Sequence, residues 1–212
     1  MQNYTKMRSA SHNDVIMKVI PGHFVTPNTH INYYIDMTTM KTRQNEAMAA
    51  ARAMSEVYVS TTVVDTIVCM DGMEVIGAYM AEELTRVGIM SMNSHKTIYI
   101  MSPEYDHSGQ MIVRENNQMM VRGKHCLLLL ASATTGQTIA RAGESINYYG
   151  GTIEGISAIY SAVSKVLDYP VHALYTMADL PNYRSYPPNK CRMCQNNEPI
   201  DAICNGFGYS RI

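Results

Sequence analysis

Hydrophobic and polar positions change rhythm several times along this chain. Val63 to Met70 is a continuous, β-branched apolar run, which predicts a buried strand. Glu74 to Val87 then shows helical spacing, and Thr97 to Met101 is another short apolar run. His125 to Leu130 is apolar, Gln137 to Tyr148 is helical, and Thr152 to Tyr160 is strand-like again. Strands that are apolar on both faces and separated by helices of this length predict an α/β fold, a doubly wound, mostly parallel sheet covered on both sides. Upstream, Glu46 to Val57 is rich in helix formers, with Ala47, Ala50, Ala51 and Met54 on one face, and predicts a helix packed on the sheet. Met7 to Ile20 carries apolar positions at mixed helical spacing and stops at Pro21-Gly22, which predicts a helix leading into a loop.

Two stretches break the alternation. Ser102 to Lys124 is polar, contains Gly109 and Asn116-Asn117, and is too long for an ordinary connection, so it is expected to be a hairpin or a mobile lid. Pro181 to Ile212 is rich in Pro, Asn, Gly and Tyr without a clear period, and reads as an extended tail. The expected organisation is one domain over residues 1–212, with residues 1–45 as a hood, 102–124 as the lid and 181–212 as the tail.

Composition narrows the classes. With 46% apolar and 17% charged residues and a formal net charge of -1, the chain has a globular balance and gives no reason to expect a nucleic-acid or membrane partner. Met1 to Ala10 is polar, without the apolar core of a signal peptide, and a cytoplasmic location is expected. The five cysteines, at 69, 126, 191, 194 and 204, are too few and too unevenly spaced for a disulfide scaffold; reduced thiols or a metal are expected. The methionine-rich, tryptophan-free composition is assigned to packing or genome composition and carries no functional weight.

The sharpest local signal is Leu127 to Leu130 followed by Ala131-Ser132-Ala133-Thr134-Thr135-Gly136-Gln137-Thr138-Ile139. A buried strand turns through small and hydroxyl residues into a helix N-terminus, where free backbone N–H groups and the positive end of the helix dipole attract an anion. Ala133, Thr134, Thr135, Gly136, Gln137 and Thr138 form the candidate phosphate loop. The competing reading is that Thr134 or Thr135 only caps the helix, and spacing alone favours the cap.

This stretch resembles the phosphoribosyl-diphosphate motif of type I phosphoribosyltransferases, in which a hydrophobic strand and two acidic residues precede a loop ending Thr-Thr-Gly. At the two acidic positions this chain has Leu130 and Ala131, neither of which accepts a hydrogen bond through its side chain. Further segments resemble orotate phosphoribosyltransferases, in the branch with a Gly-His-Phe start and a late cysteine pair. They are Gly22-His23-Phe24-Val25 with His30 and Tyr33-Tyr34, Asp65 to Ala81, Tyr105-Asp106-His107, Tyr186, Cys191-Arg-Met-Cys194, Glu198-Pro199-Ile200 and Gly208-Tyr-Ser-Arg211. They run in the family's order from about Gly22 to Arg211.

The resemblance implies a role in pyrimidine nucleotide metabolism. Tyr33 and Tyr34 would cover the base, although ordinary packing serves them equally well. Asp71 and Gly72 would stand in the pyrophosphate loop, which here reads Met70-Asp71-Gly72-Met73-Glu74 and is bulkier and more acidic than the family's. Arg114 would be the lid's catalytic cation, magnesium the cofactor of an active enzyme, and a homodimer the assembly. The family's Ser-Gly is absent near Pro27-Asn28, and Tyr105 stands where a Lys would be. Cys191 and Cys194, with Cys204 as a third, are candidate zinc ligands without a clear fourth, and unbound thiols are favoured over zinc.

The leading expectation is a binder of a nucleotide, ribose phosphate or phosphoribosyl diphosphate with weak or no transferase activity. The alternatives are a working transferase, in which Asp71, Glu74 or ordered water takes over metal binding, and a structural or regulatory dimer without a ligand. Restoring Asp at both Leu130 and Ala131 is expected to strengthen magnesium-dependent binding before turnover.

Overall fold

The computed structural model describes residues 4–9, 11–86, 91–94, 96–107 and 109–212. In chain order it contains β1 (Thr5–Arg8), β2 (Ile16–Val25), β3 (His30–Asp36), α1 (Thr38–Thr42), α2 (Gln44–Ser55), β4 (Thr66–Cys69), α3 (Glu74–Thr85) and β5 (Tyr99–Met101). Then follow β6 (Glu104–Tyr105), β7 (Met111–Ile112), β8 (His125–Ala133), α4 (Gln137–Tyr148), β9 (Thr152–Ser161), β10 (Lys165–Val166), β11 (Tyr169–Thr176), β12 (Ser185–Tyr186), α5 (Arg192–Gln195), β13 (Ala202–Asn205) and β14 (Gly208–Arg211). The central sheet has the order β10-β11-β9-β8-β4-β5, with β11, β9, β8, β4 and β5 mutually parallel and β10 antiparallel at the edge.

Strand β8 shows how the sheet separates its two cores. Leu127, Leu129 and Ala131 join the cluster formed with Ala47, Ala50, Ala51 and Met54 of α2 and Ile76, Met80 and Leu84 of α3. Cys126, Leu128 and Leu130 join the opposite cluster, with Ile139, Ala142 and Ile146 of α4. A strand flanked by parallel neighbours and covered on both faces carries apolar residues at every position, which is why the Leu run reads as continuous. The α/β alternation expected from the apolar runs is the one observed. Val87, expected to end the second predicted helix, lies outside the described residues.

The N-terminus corrects its expectation. Met7 to Ile20, of which Ala10 lies outside the described residues, is no helix but the end of β1, a turn and the first half of β2. Val15, Met17 and Val19 are buried while Ile16, Lys18 and Ile20 are less so, a period of two carried by β-branched residues. Pairs such as Val15/Val19 and Ile16/Ile20 also satisfy helical spacing, so the pattern alone did not discriminate. Pro21-Gly22 does not end the strand: β2 runs on through a register irregularity between Pro21 and Phe24.

The tail is also more ordered than its composition suggests. A second sheet has the order β12-β3-β2-β13-β14, with β1 against β2, so both ends of the chain build one layer. In it β13 runs parallel to β2 and β12 antiparallel to β3. Of the two readings for 102–124, a hairpin is present as β6 and β7, followed by a 3-10 helix at Glu115–Met120. Ser108 lies outside the described residues. Met111, Val113 and Val121 are buried beneath α4, which anchors the segment to the core.

Candidate active site

A cavity of about 510 Å³ opens at the carboxyl ends of the central strands, where parallel sheets place their ligands. Its floor is Asp71 after β4, Ala131 and Ser132 of β8, and Thr134, Thr135, Gln137 and Thr138 at the start of α4. The second sheet roofs it with the β2–β3 turn (residues 26–29), Tyr33 and Tyr34, and the tail adds Pro187 and Cys204 to Phe207. Of the expected phosphate loop, Ala133 is buried below the cavity, its carbonyl accepting from the Ala162 amide at 2.8 Å.

The helix start discriminates between anion site and simple cap. Neither Thr134 nor Thr135 is the cap residue of α4; Gly136 is, at φ +76°, and no side chain makes a capping hydrogen bond. The nearest hydroxyl, Thr135 Oγ1, lies 3.5 Å from the Gln137 amide, at the far limit of a hydrogen bond. The first-turn amides of this helix therefore remain available to a ligand. Glycine is required at 136 because a Cβ there would stand 2.7 Å from Val166 Cγ2, in addition to the left-handed backbone.

Charge in the cavity rests on two residues. Lys41 donates to the carbonyl oxygens of Asp71 at 2.7 Å and Gly206 at 2.9 Å, stapling α1 to the β4 loop and the tail. Burial lowers its pKa, although the nearby Asp71, Glu74 and Asp36 pull it back. Asp71 has a left-handed backbone at φ +56°. Its pKa is raised by the protein crowding its carboxyl, against the opposing effects of Lys41 and the Ala131 amide. Asp71 is the one carboxylate among the lining residues, since Glu74 instead accepts from Ser102 Oγ at 2.7 Å. Magnesium is held through one or two carboxylates together with substrate phosphates and water, so Asp71 is the protein ligand this lining would offer it, with the Lys41 ammonium competing beside it.

The two positions where the resembling family has acids are not equivalent. Leu130 is 1% exposed and belongs to the core under α4, whereas Ala131 is 8% exposed and lines the cavity. The aromatic side of the cavity comprises Tyr33, Tyr34, Tyr160, Tyr183 and Phe207. Tyr34 also packs edge-on against Tyr209, with ring centres 4.8 Å apart, and burial pushes its hydroxyl up to about 12. Burial likewise holds the Tyr160 hydroxyl at about 12, and it donates to Met177 Sδ at 3.1 Å.

Two expected site residues lie elsewhere than the expectation put them. Arg114 does not line the cavity; it pairs through Nε, at 2.8 Å, and Nη2 with Glu104 across the hairpin, which uses its charge locally. Cys204 is no partner of the cysteine pair: it is buried on β13 and lines the cavity, its thiol pushed up to about 11 by burial. The groups that do meet Cys191 and Cys194 are His23 and His30, with all four donor atoms within 4.8 Å of one another. Sequence reasoning missed them because they lie some 170 residues away; Gly22-His23-Phe24 and His30 were visible only as parts of a resemblance.

This architecture is the fold of the type I phosphoribosyltransferases. Orotate phosphoribosyltransferase of Mycobacterium tuberculosis, in a complex with 5-phospho-α-D-ribosyl 1-diphosphate, matches with a TM-score of 0.51 at 14% identity over 69% of this chain and 82% of that one. The Aeropyrum pernix orotate phosphoribosyltransferase matches at 0.53 and 14% identity, covering 77% of this chain and 90% of its own. Leishmania donovani UMP synthase reaches 0.56 at 16% identity over 85% of this chain, which spans 36% of that protein. No protein-family model and no curated protein sequence matches the chain.

Proposed function

We propose that the protein binds the 5-phosphate of a ribose phosphate, nucleotide or phosphoribosyl diphosphate on the loop Ala133 to Thr138, and transfers phosphoribosyl groups weakly or not at all. The observation that carries this reading is the uncapped start of α4, which opens with the Thr134, Thr135 and Thr138 side chains onto a cavity containing Lys41. Free amides and hydroxyls there suit a phosphate, and the aromatic roof suits a planar base.

The weak chemistry follows from Leu130 and Ala131. Each charge-assisted hydrogen bond to a ribose hydroxyl is worth about 1.5 to 3 kcal/mol. Losing two that tighten in the transition state slows transfer by roughly a hundredfold or more. With Arg114 bound to Glu104, its guanidinium is held outside the cavity lining. Tyr33 and Tyr34 serve as base contacts in this reading, and a homodimer is its assembly.

The test is calorimetry with inorganic phosphate, ribose 5-phosphate and phosphoribosyl diphosphate, with and without magnesium, beside an assay for orotidine monophosphate. Saturable binding that Thr135→Val or Thr138→Val weakens, without detectable turnover, is expected. Absence of binding at millimolar ligand removes the phosphate-site reading. Robust turnover with orotate or another base replaces it by a working transferase in which Asp71 contributes to metal binding.

A further inference from the structure

Four side chains outside the cavity converge where the β2–β3 hairpin meets the tail. His23 Nε2 lies 3.0 Å from His30 Nδ1, 3.6 Å from Cys191 Sγ and 3.6 Å from Cys194 Sγ. Cys194 Sγ lies 3.3 Å from His30 Nδ1. His23, His30 and Cys191 are buried, and Cys194 reaches the surface. A tetrahedral zinc ion, with Zn–N of about 2.0–2.1 Å and Zn–S of about 2.3 Å, holds nitrogen pairs about 3.3 Å apart and nitrogen–sulfur pairs about 3.6 Å apart. The four measured separations fall on the edges of that tetrahedron to within about 0.3 Å. We infer that His23, His30, Cys191 and Cys194 form a structural Cys2His2 zinc site.

The surroundings fix the donors as a metal requires. His23 Nδ1 lies 3.0 Å from the Glu198 carbonyl oxygen. A carbonyl only accepts, so Nδ1 carries the proton and Nε2 turns its lone pair to the other three groups, the arrangement that orients zinc-bound imidazoles. The His23 backbone is held as well: its amide donates to Asp201 Oδ2 at 2.7 Å and its carbonyl accepts from the Asp201 amide at 2.9 Å. Gly22 makes this approach possible, since a Cβ on it would stand 2.7 Å from that same Oδ2. Cys191 is the cap residue of α5 and Cys194 lies within it, and the C-x2-C spacing puts both sulfurs on one side of a single turn.

A metal-free reading explains less. A hydrogen bond from His30 Nδ1–H to His23 Nε2 would account for the 3.0 Å contact between the rings. It gives no reason for two thiols to approach the same two nitrogens. Two thiolates and two imidazoles form a soft, closed donor set that selects zinc over magnesium or calcium. With all four positions taken by protein, the ion would be structural rather than catalytic. Its work is to tie the hairpin whose turn, residues 26–29, roofs the cavity to the tail that contributes Pro187 and residues 204–207 to its wall.

Such a site runs against the expectation of unbound thiols. Protein purified under reducing conditions should contain about one zinc per chain by elemental analysis, lost in Cys194→Ser and in His30→Ala and retained in Cys204→Ser. Cobalt added to chelator-stripped wild type should give the intense visible bands and sulfur-to-metal charge transfer of a tetrahedral S2N2 site. Chelation should lower Tm, and stoichiometric zinc should restore it. Should the variants fail to fold, the wild-type cobalt titration alone decides. A reduced, folded protein that takes up no cobalt and whose Tm ignores zinc overturns the site, as does full zinc retention in Cys194→Ser.

Discussion

Replacing Leu130 by Asp tests whether an acid can be restored at the first of the two apolar positions. Leu130 is 1% exposed, among Ile139, Ala142 and Ile146 on the α4 side of the sheet. Losing its burial costs about 1.5–3 kcal/mol. An Asp in its place meets no cation in that cluster, so the folded state keeps it protonated. Protonating a carboxyl of ordinary pKa, about 3.9, at pH 7 costs roughly 1.4 kcal/mol per pH unit, or about 4 kcal/mol in all. The sum, about 5–7 kcal/mol at pH 7, rivals the whole stability of a typical domain, about 5–15 kcal/mol. Because the folded pKa is raised, the variant is least penalised below the unfolded value near 4 and loses stability as pH rises. Near pH 4 little more than the packing loss of about 1.5–3 kcal/mol should remain. Urea denaturation of wild type, Leu130→Asp and Leu130→Asn at pH 7 and pH 4.5 separates the contributions, since Asn keeps the packing loss without the titration. A Leu130→Asp protein within about 1 kcal/mol of wild type at pH 7, or one whose deficit does not grow with pH relative to Asn, refutes the placement of this side chain. Ala131→Asp, whose side chain faces the cavity, should fold. The expectation that both acids can be restored together is thus narrowed to position 131.

Two further outcomes are expected. Gly136→Ala should cost roughly 2–4 kcal/mol, from a left-handed backbone and the 2.7 Å approach to Val166 Cγ2, and should weaken phosphate binding; thermal melts should show partial rescue by Val166→Ala, and full stability of the single variant would contradict the turn. Asp71→Asn should tighten phosphate binding at pH 7 by roughly threefold to tenfold, the size of a screened unit-charge repulsion. Because the Asp71 pKa is raised, its contribution to stability is full only below about pH 4 and falls as pH rises. The Tm advantage of Asn should therefore grow with pH, and an advantage that shrinks instead would show the carboxylate to be stabilised.

The chain's own pattern determined the central sheet and its helices, because each of these elements declares itself locally. The apolar run at 125–130 and the helix at 137–148 lie where β8 and α4 are, and the faces of α2 follow a period that its alanines spell out. The turn from β8 into α4 was legible for the same reason: strand, turn and helix start are contiguous. Tertiary structure alone decided the rest. At Met7 to Ile20 two periodicities coexist, and pairing with β3 selected the strand. The tail shows no period because its short strands take their partners from the N-terminus. Leu130 and Ala131 are neighbours in sequence, but the pleat of β8 sends one into the core under α4 and the other to the cavity. The same geometry assembles His23 and His30 with Cys191 and Cys194. No sequence spacing announces that set, because ligands drawn from opposite ends of a chain become neighbours only when the sheet that joins those ends has formed.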